Sequence, residues 1–201
     1  MREDIKNIST ELLIRHGYQG FRFRDIASAL DTTRANIHYY FGNKLNLAEE
    51  VIVDYVEKTL ESWTANWRSE ASFADKTIGM MESNRQRYLR YNPAGNTGNP
   101  WSLINRMRLE RNVIGPKARK SLADFAVALD ALVIEGIEEA IRRGELSEAT
   151  PRSDVALQLV SIANSAGAIT QDTGSFDRLE QLYRAFSRVI HHAYGTHRRE
   201  G

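Results

Sequence analysis

The 201-residue chain has no cysteine and only four prolines. The lack of cysteine excludes disulfides, thiol catalysis and cysteine-ligated zinc, and it fits a cytoplasmic protein. No apolar run approaches the roughly 20 residues that a membrane-spanning helix needs, so we expect no membrane partner. The polar and charged N-terminus does not have the pattern of a signal peptide. The net charge of +1 does not by itself indicate a partner.

Helical periodicity runs through the whole chain. Apolar residues recur at spacings of three and four, no alternating β-branched strand is visible, and all four prolines lie beyond residue 90, between helical segments. We therefore predict an all-α fold of about nine helices. The predicted ranges are 2–16, 24–30, 34–40, 43–69, 73–91, 101–112, 117–143, 153–170 and 176–194.

The first three predicted helices have the pattern of a helix-turn-helix. The small Ala27 allows the second and third helices to cross closely, and Thr33 is placed to cap the third helix. With Ile37 and Phe41 facing inward, the opposite face is polar, aromatic and nearly free of acids. Such a face suits the DNA major groove, where arginine pairs with guanine and asparagine with adenine. Its residues are Arg34, Ala35, Asn36, His38, Tyr39 and Tyr40.

A dense set of residues in this segment follows the order of a known family pattern: Gly17, Arg24, Asp25, Ile26, Ala27, Thr33, Ile37, Tyr39, Phe41 and Lys44. On these residues the chain resembles the TetR family of transcriptional regulators. The resemblance implies that Arg24 lies near a phosphate or base edge, that Thr33 joins the recognition face, and that Lys44 contacts phosphate. Departures from the pattern are Phe21 and Phe23 at common threonine positions, Asp31 at the turn glycine, Thr32 at a usual valine, and His38 at a commoner tyrosine.

The resemblance also implies two domains and a homodimer. Residues 1–46 would form the DNA-binding domain, and residues 47–201 a helical domain for ligand binding and dimerisation. Apolar residues cover more than one face of the last two predicted helices, and a second apolar face needs a second partner. The residues expected at the dimer interface are Ala163, Ala166, Gly167, Leu182, Phe186 and Val189.

Basic residues are concentrated between positions 85 and 120, a segment with nine Lys or Arg and a single acid, Glu110. Arginine suits carboxylate or phosphate because its planar fork donates two parallel hydrogen bonds. One interpretation is therefore a small-molecule effector that carries negative charge; the other is a solvated basic face that attracts DNA. The candidate ligand residues are Arg87, Tyr88, Arg90, Trp101, Arg106, Met107 and Arg108.

No catalytic motif and no cofactor motif is present. His191, His192 and His197 lie close in sequence, but adjacent histidines on a helix face different ways, so we expect no metal site. The leading hypothesis is a ligand-responsive, non-enzymatic regulator, a repressor by family expectation, that binds double-stranded palindromic DNA as a dimer and is released by a small molecule. The alternative is a helical interaction or adaptor protein that has lost DNA binding.

Overall fold

A computed structural model describes residues 1–196, which form nine α-helices. The helices are α1 (Arg2–Gly20), α2 (Phe23–Ala29), α3 (Arg34–Phe41), α4 (Lys44–Trp67), α5 (Phe73–Tyr91), α6 (Leu103–Leu109), α7 (Pro116–Arg142), α8 (Arg152–Thr173) and α9 (Asp177–Tyr194). The predicted all-α fold is confirmed: within the described range, β-type pairing is limited to one isolated bridge between Leu146 and Gly195. None of these nine helices is both long and apolar enough to cross a membrane.

The chain divides into two compact units. The first comprises residues 1–59 and 100–125, and the second, within the described range, comprises residues 60–99 and 126–196. Helices α4 and α7 each contribute one part to the first unit and the other part to the second.

In the first unit, α1 packs on α2 and α6, and α2 packs on α3. Ile5, Leu13 and Ile14 are fully buried along α1. Helix α1 was predicted to end at residue 16, but it continues to Gly20 past a break at Gly17. The backbone at Gly17 has φ 68° and ψ 179°, a conformation that is essentially restricted to glycine. Gly17 thus interrupts the helix, and a further turn follows it.

In the second unit, α9 packs against both α8 and α5. A short connection through Gly174, at φ 67°, joins α8 to α9. Tyr183 of α9 is completely buried, and its hydroxyl accepts a hydrogen bond of 3.0 Å from the Asn84 amide of α5. Burial raises the pKa of Tyr183 well above its ordinary value, so this phenol stays neutral.

The segment between α5 and α6 is organised by one buried side chain, Asn92. Its amide oxygen accepts hydrogen bonds from the Thr97 hydroxyl at 2.6 Å and from the Asn99 backbone N–H at 2.8 Å. Its amide nitrogen donates to the Tyr88 carbonyl at 3.0 Å. Helix α6 is shorter than predicted, because it begins only after Ser102, whose hydroxyl accepts the Asn105 N–H, and ends at Leu109.

Candidate nucleic-acid interface

The turn between α2 and α3 has the geometry that the sequence predicts. Asp31 adopts a left-handed conformation with φ 47°, which aspartate tolerates better than most residues. The Thr33 hydroxyl caps α3 by accepting the Asn36 backbone N–H at 3.1 Å. Ile37 and Phe41 are buried, with 0% and 5% of their surface exposed. The inward face of the recognition helix is therefore fixed, and its other face is open.

The open face of α3 carries a prominent aromatic pair. Tyr39 is 83% exposed, and its ring meets that of Tyr40 edge to face at a centroid distance of 5.4 Å. Arg34 and Ala35 are exposed in the first turn of the same helix. An exposed guanidinium, a small side chain and two tyrosines are the mixture that contacts base edges and phosphates in a major groove.

Two residues of the predicted recognition face also hold the motif together. The His38 ring packs on Phe23 at a centroid distance of 4.7 Å, and its Nδ1 lies 2.7 Å from the carbonyl oxygen of Gly42. The Asn36 amide nitrogen donates to the Thr32 hydroxyl at 3.0 Å. These contacts set the position of α3, so any contact of Asn36 or His38 with DNA would come in addition to them.

Lys44, the first residue of α4, is held above the end of α1. Its ammonium lies 4.5 Å from the centre of the Tyr18 ring and 3.4 Å from the Gln19 carbonyl oxygen, to which it donates. Burial lowers the pKa of Lys44, and the positive charge of Arg22 lowers it further, while Glu110 opposes the shift. Lys44 is therefore a partly buried cation beside a second cation. An anion such as a DNA phosphate would stabilise this arrangement.

Arg22 was not among the contact residues predicted from the sequence. Arg22 is exposed at the position that precedes α2, and Arg24 follows two residues later with its side chain 64% exposed. The Arg24 guanidinium has one contact, at 3.4 Å, with the carboxylate of Asp25. The sequence signal that could have identified Arg22 is the alternation Arg22-Phe23-Arg24. The ring of Phe23 packs on His38, and the two arginines on either side of it are exposed to solvent.

The carboxylate of Glu110, the residue directly after α6, reaches the break in α1. Glu110 accepts the Tyr18 backbone N–H at 2.6 Å and the Arg106 Nε–H at 2.8 Å. A Cβ atom added at Gly17 would lie 2.0 Å from the same carboxylate, so only glycine leaves room for this approach. The single acid of the basic segment therefore satisfies a backbone donor at the entrance to the helix-turn-helix.

The seven candidate ligand residues are divided between the two units. Trp101, Arg106, Met107 and Arg108 belong to the first unit, and Arg87, Tyr88 and Arg90 belong to the second. Tyr88, Trp101 and Met107 are almost completely buried.

Several of the arginines face aromatic rings. The Arg87 guanidinium lies 5.6 Å from the Trp63 ring, and that of Arg108 lies 5.8 Å from the Phe125 ring. Burial lowers the pKa of Arg108 from its ordinary value.

The candidate dimer residues differ in exposure. Ala163, Ala166, Gly167 and Phe186 are buried within the chain itself, and Phe186 contacts Phe73 at a ring distance of 6.5 Å. Leu182 is half-buried, whereas Val189 is 61% exposed. On α8, Leu157 is also 63% exposed. The apolar surface that remains for a partner therefore includes Val189 and Leu157.

Within residues 1–196 no group of three or more histidine, aspartate or glutamate side chains is arranged to hold a metal ion. His197 of the predicted histidine cluster lies outside the described residues.

The N-terminal segment is similar to a known family. Residues 8–51 match the family model described as bacterial regulatory proteins, tetR family. No curated protein sequence matches the chain significantly.

Solved structures share the fold across almost all of the chain. A TetR transcriptional regulator from Legionella pneumophila is 19% identical with a TM-score of 0.76, and the match covers 94% of this chain and 97% of that one. A TetR-family regulator from Agrobacterium tumefaciens is 16% identical with a TM-score of 0.78, and 97% of each chain is covered. A regulator from Saccharomonospora viridis in complex with choline is 20% identical with a TM-score of 0.74, again with 97% of each chain covered.

Proposed function

Since residues 8–51 match the family model of bacterial regulatory proteins, tetR family, and the chain has the TetR fold, we propose that it is a DNA-binding transcriptional regulator that represses its target and is released by a small molecule. Residues 1–46 would read the DNA, and residues 47–201 would bind the effector and dimerise. A DNA-binding regulator of bacterial type works in the cytoplasm, and the proposal requires neither catalysis nor a cofactor.

One observation supports DNA binding above all others: the open face of α3 beside the cations that surround it. Arg34 and Tyr39 are exposed on the face opposite the buried Ile37, and Lys44 is held at the start of the next helix next to Arg22. The expected contacts are to base edges from α3 and to phosphates from Arg22, Arg24 and Lys44. The alternative is an adaptor that has lost DNA binding. For such a protein we would expect the open face of α3 to be acidic or apolar.

The proposed operator is a palindrome bound by a homodimer, because two-fold protein symmetry requires two-fold DNA symmetry. The exposed Val189 and Leu157 supply apolar surface for a partner on α9 and α8, next to the half-buried Leu182. Ala163, Ala166 and Gly167 are buried within the protomer, so the proposed contact rests on the exposed apolar residues.

The effector is proposed to carry negative charge, on the strength of the basic segment 85–120. Arg87 and Arg90 are the members to test first, because their spacing of three residues lets them share one face of α5. Changing Arg87 and Arg90 to glutamine should abolish effector-induced release and leave operator affinity in low salt unchanged. Weaker DNA binding with normal release would instead assign the basic segment to the nucleic acid.

Selection of bound sequences from random DNA tests the proposed function. The wild-type protein should enrich a palindromic site, and Arg34→Ala should change the sequence that is enriched. A matched control is Lys58→Ala, which removes an exposed cation from α4 outside the candidate interface. The alternative adaptor function predicts no enrichment for any of these proteins.

A further inference from the structure

The imidazole of His38, in the last turn of α3, is held in a single orientation. Its Nδ1 lies 2.7 Å from the Gly42 carbonyl oxygen. Because a carbonyl oxygen can only accept a hydrogen bond, the proton of this bond is on Nδ1. The ring also meets Phe23 of α2 edge to face, at a centroid distance of 4.7 Å. These contacts come from two different segments, and together they fix the tautomer and the plane of the ring.

With Nδ1 engaged, Nε2 is the nitrogen that His38 can offer to DNA. The side chain is exposed, and within residues 1–196 the ring makes its polar contact through Nδ1 alone. In the neutral ring Nε2 carries no proton and can only accept a hydrogen bond, whereas in the imidazolium it donates one. A phosphate oxygen of DNA can only accept. A phosphate contact at Nε2 therefore requires the charged form of His38.

The charges around His38 favour that form more strongly when DNA is bound. The carbonyl groups at the end of α3 stabilise an imidazolium in the last turn. The cations of this segment disfavour it, and phosphates bound to those cations remove the opposition. Phenols titrate well above pH 8, so the two tyrosines of α3 do not contribute. From residue 22 to residue 47 the charged side chains besides His38 are four cations and two acids: Arg22, Arg24, Arg34, Lys44, Asp25 and Asp31.

On the basis of the DNA-binding function proposed above, we propose that His38 donates from Nε2–H to a DNA phosphate and takes up a proton when it does so. Operator affinity then depends on pH in the range in which histidine changes charge, about pH 5 to 8. The added affinity is fully present at the acidic end, where the free protein already holds the proton. It is lost at the alkaline end, where the complex also releases the proton.

Fluorescence anisotropy of the full-length protein on a rhodamine-labelled duplex tests the proposal. The duplex carries the sequence that the wild-type protein enriches most strongly from random DNA, and the ionic strength is the same at every pH. The wild-type protein should bind about 3- to 10-fold more tightly at about pH 5.5 than at about pH 8.5. Its salt slope should also be steeper by about one at the lower pH, because one more phosphate is neutralised.

Two variants separate His38 from other titrating groups. In His38→Tyr the hydroxyl can donate to a phosphate without a change of charge in this range, so affinity and salt slope should lose the wild-type dependence on pH. His16→Gln removes an exposed histidine of α1 in the same unit and should keep that dependence. Circular dichroism should show equal helicity for the three proteins.

Calorimetry gives an independent measurement on the wild-type protein. Titrations near neutral pH in two buffers with different ionisation enthalpies should show uptake of a fraction of a proton per chain on DNA binding. The proposal is overturned if the wild type takes up no proton, if its affinity does not change with pH, or if His38→Tyr keeps the wild-type dependence. Any of these results with DNA still bound leaves the proposed regulatory function standing. A wild-type protein that enriches no sequence would overturn both.

Discussion

The contact between Gly17 and Glu110 predicts a strong energetic coupling between the break in α1 and the turn after α6. Glu110 is 20% exposed, and its carboxylate accepts a backbone N–H at 2.6 Å. A hydrogen bond to a charged group contributes about 1.5–3 kcal/mol, and the partner Arg106 is exposed enough to be rehydrated. Glu110→Ala should therefore lower the free energy of unfolding by about 2 kcal/mol.

Gly17→Ala should cost more, because it has two separate effects. The φ and ψ values at Gly17 cost a residue with a side chain about 1–3 kcal/mol. The new Cβ, at 2.0 Å from the carboxylate, also displaces Glu110 and loses the same hydrogen bond. The sum is about 3–5 kcal/mol in the wild-type background and only about 1–3 kcal/mol once Glu110 is already alanine.

Urea unfolding of the two single variants and the double variant measures this coupling, which we expect to be about 2 kcal/mol. In a protein of this size that amount corresponds to about 4–8 °C in melting temperature. Gly144→Ala is a control, because Gly144 also has a positive φ, 69°, but a Cβ atom added there would meet nothing within 4 Å, so it reports backbone strain alone. Additive effects of Gly17→Ala and Glu110→Ala on the free energy of unfolding would show that the two sites are not coupled.

Three further predictions concern the DNA face, the dimer and acid stability. Arg34→Ala should cost about 1–3 kcal/mol of operator affinity and alter sequence preference, whereas Lys44→Met should weaken all sequences alike and flatten the salt slope by about one, both measured by fluorescence anisotropy. Val189→Asp should shift the protein from dimer to monomer in analytical ultracentrifugation without loss of helicity, and an unchanged dimer would exclude Val189 from the interface. Arg184 and Arg85 lower the pKa of Glu180, so the stability it adds is present above its unfolded pKa and is lost as pH falls through the lower folded value. Glu180→Gln should flatten the pH dependence of stability in that acidic range, and an unchanged slope would mean that the ion pairs add no stability.

The elements that sequence analysis located best are those with local signals at both ends. Helix α5 spans 73–91 as predicted, because Ser72 caps its start by accepting the Asp75 N–H and Asn92 turns the chain at its end. Helix α3 could be predicted equally well, because its Thr33 cap and the spacing of Ile37 and Phe41 are contained in nine residues.

The features that the sequence could not supply depend on residues far apart in the chain. Nothing near Gly17 indicates that α1 resumes after it, because the Tyr18 N–H is satisfied by a carboxylate 92 residues away. The second apolar face of α9 predicted a partner chain, but α5 already covers part of it, which buries Phe186 within the protomer. Arg22 was missed because its importance lies in its position beside Lys44.

We propose that the face of α3 reads a two-fold symmetric DNA site. The most direct test is to select binding sites from random duplex DNA with the wild-type protein, and then to measure the stoichiometry on the selected duplex by analytical ultracentrifugation. We expect a palindromic consensus bound by an even number of chains. Half-sites should be separated by one helical turn, about 34–36 Å, or a multiple of it. A selection that yields no consensus, or a consensus without two-fold symmetry bound by a single chain, would contradict it.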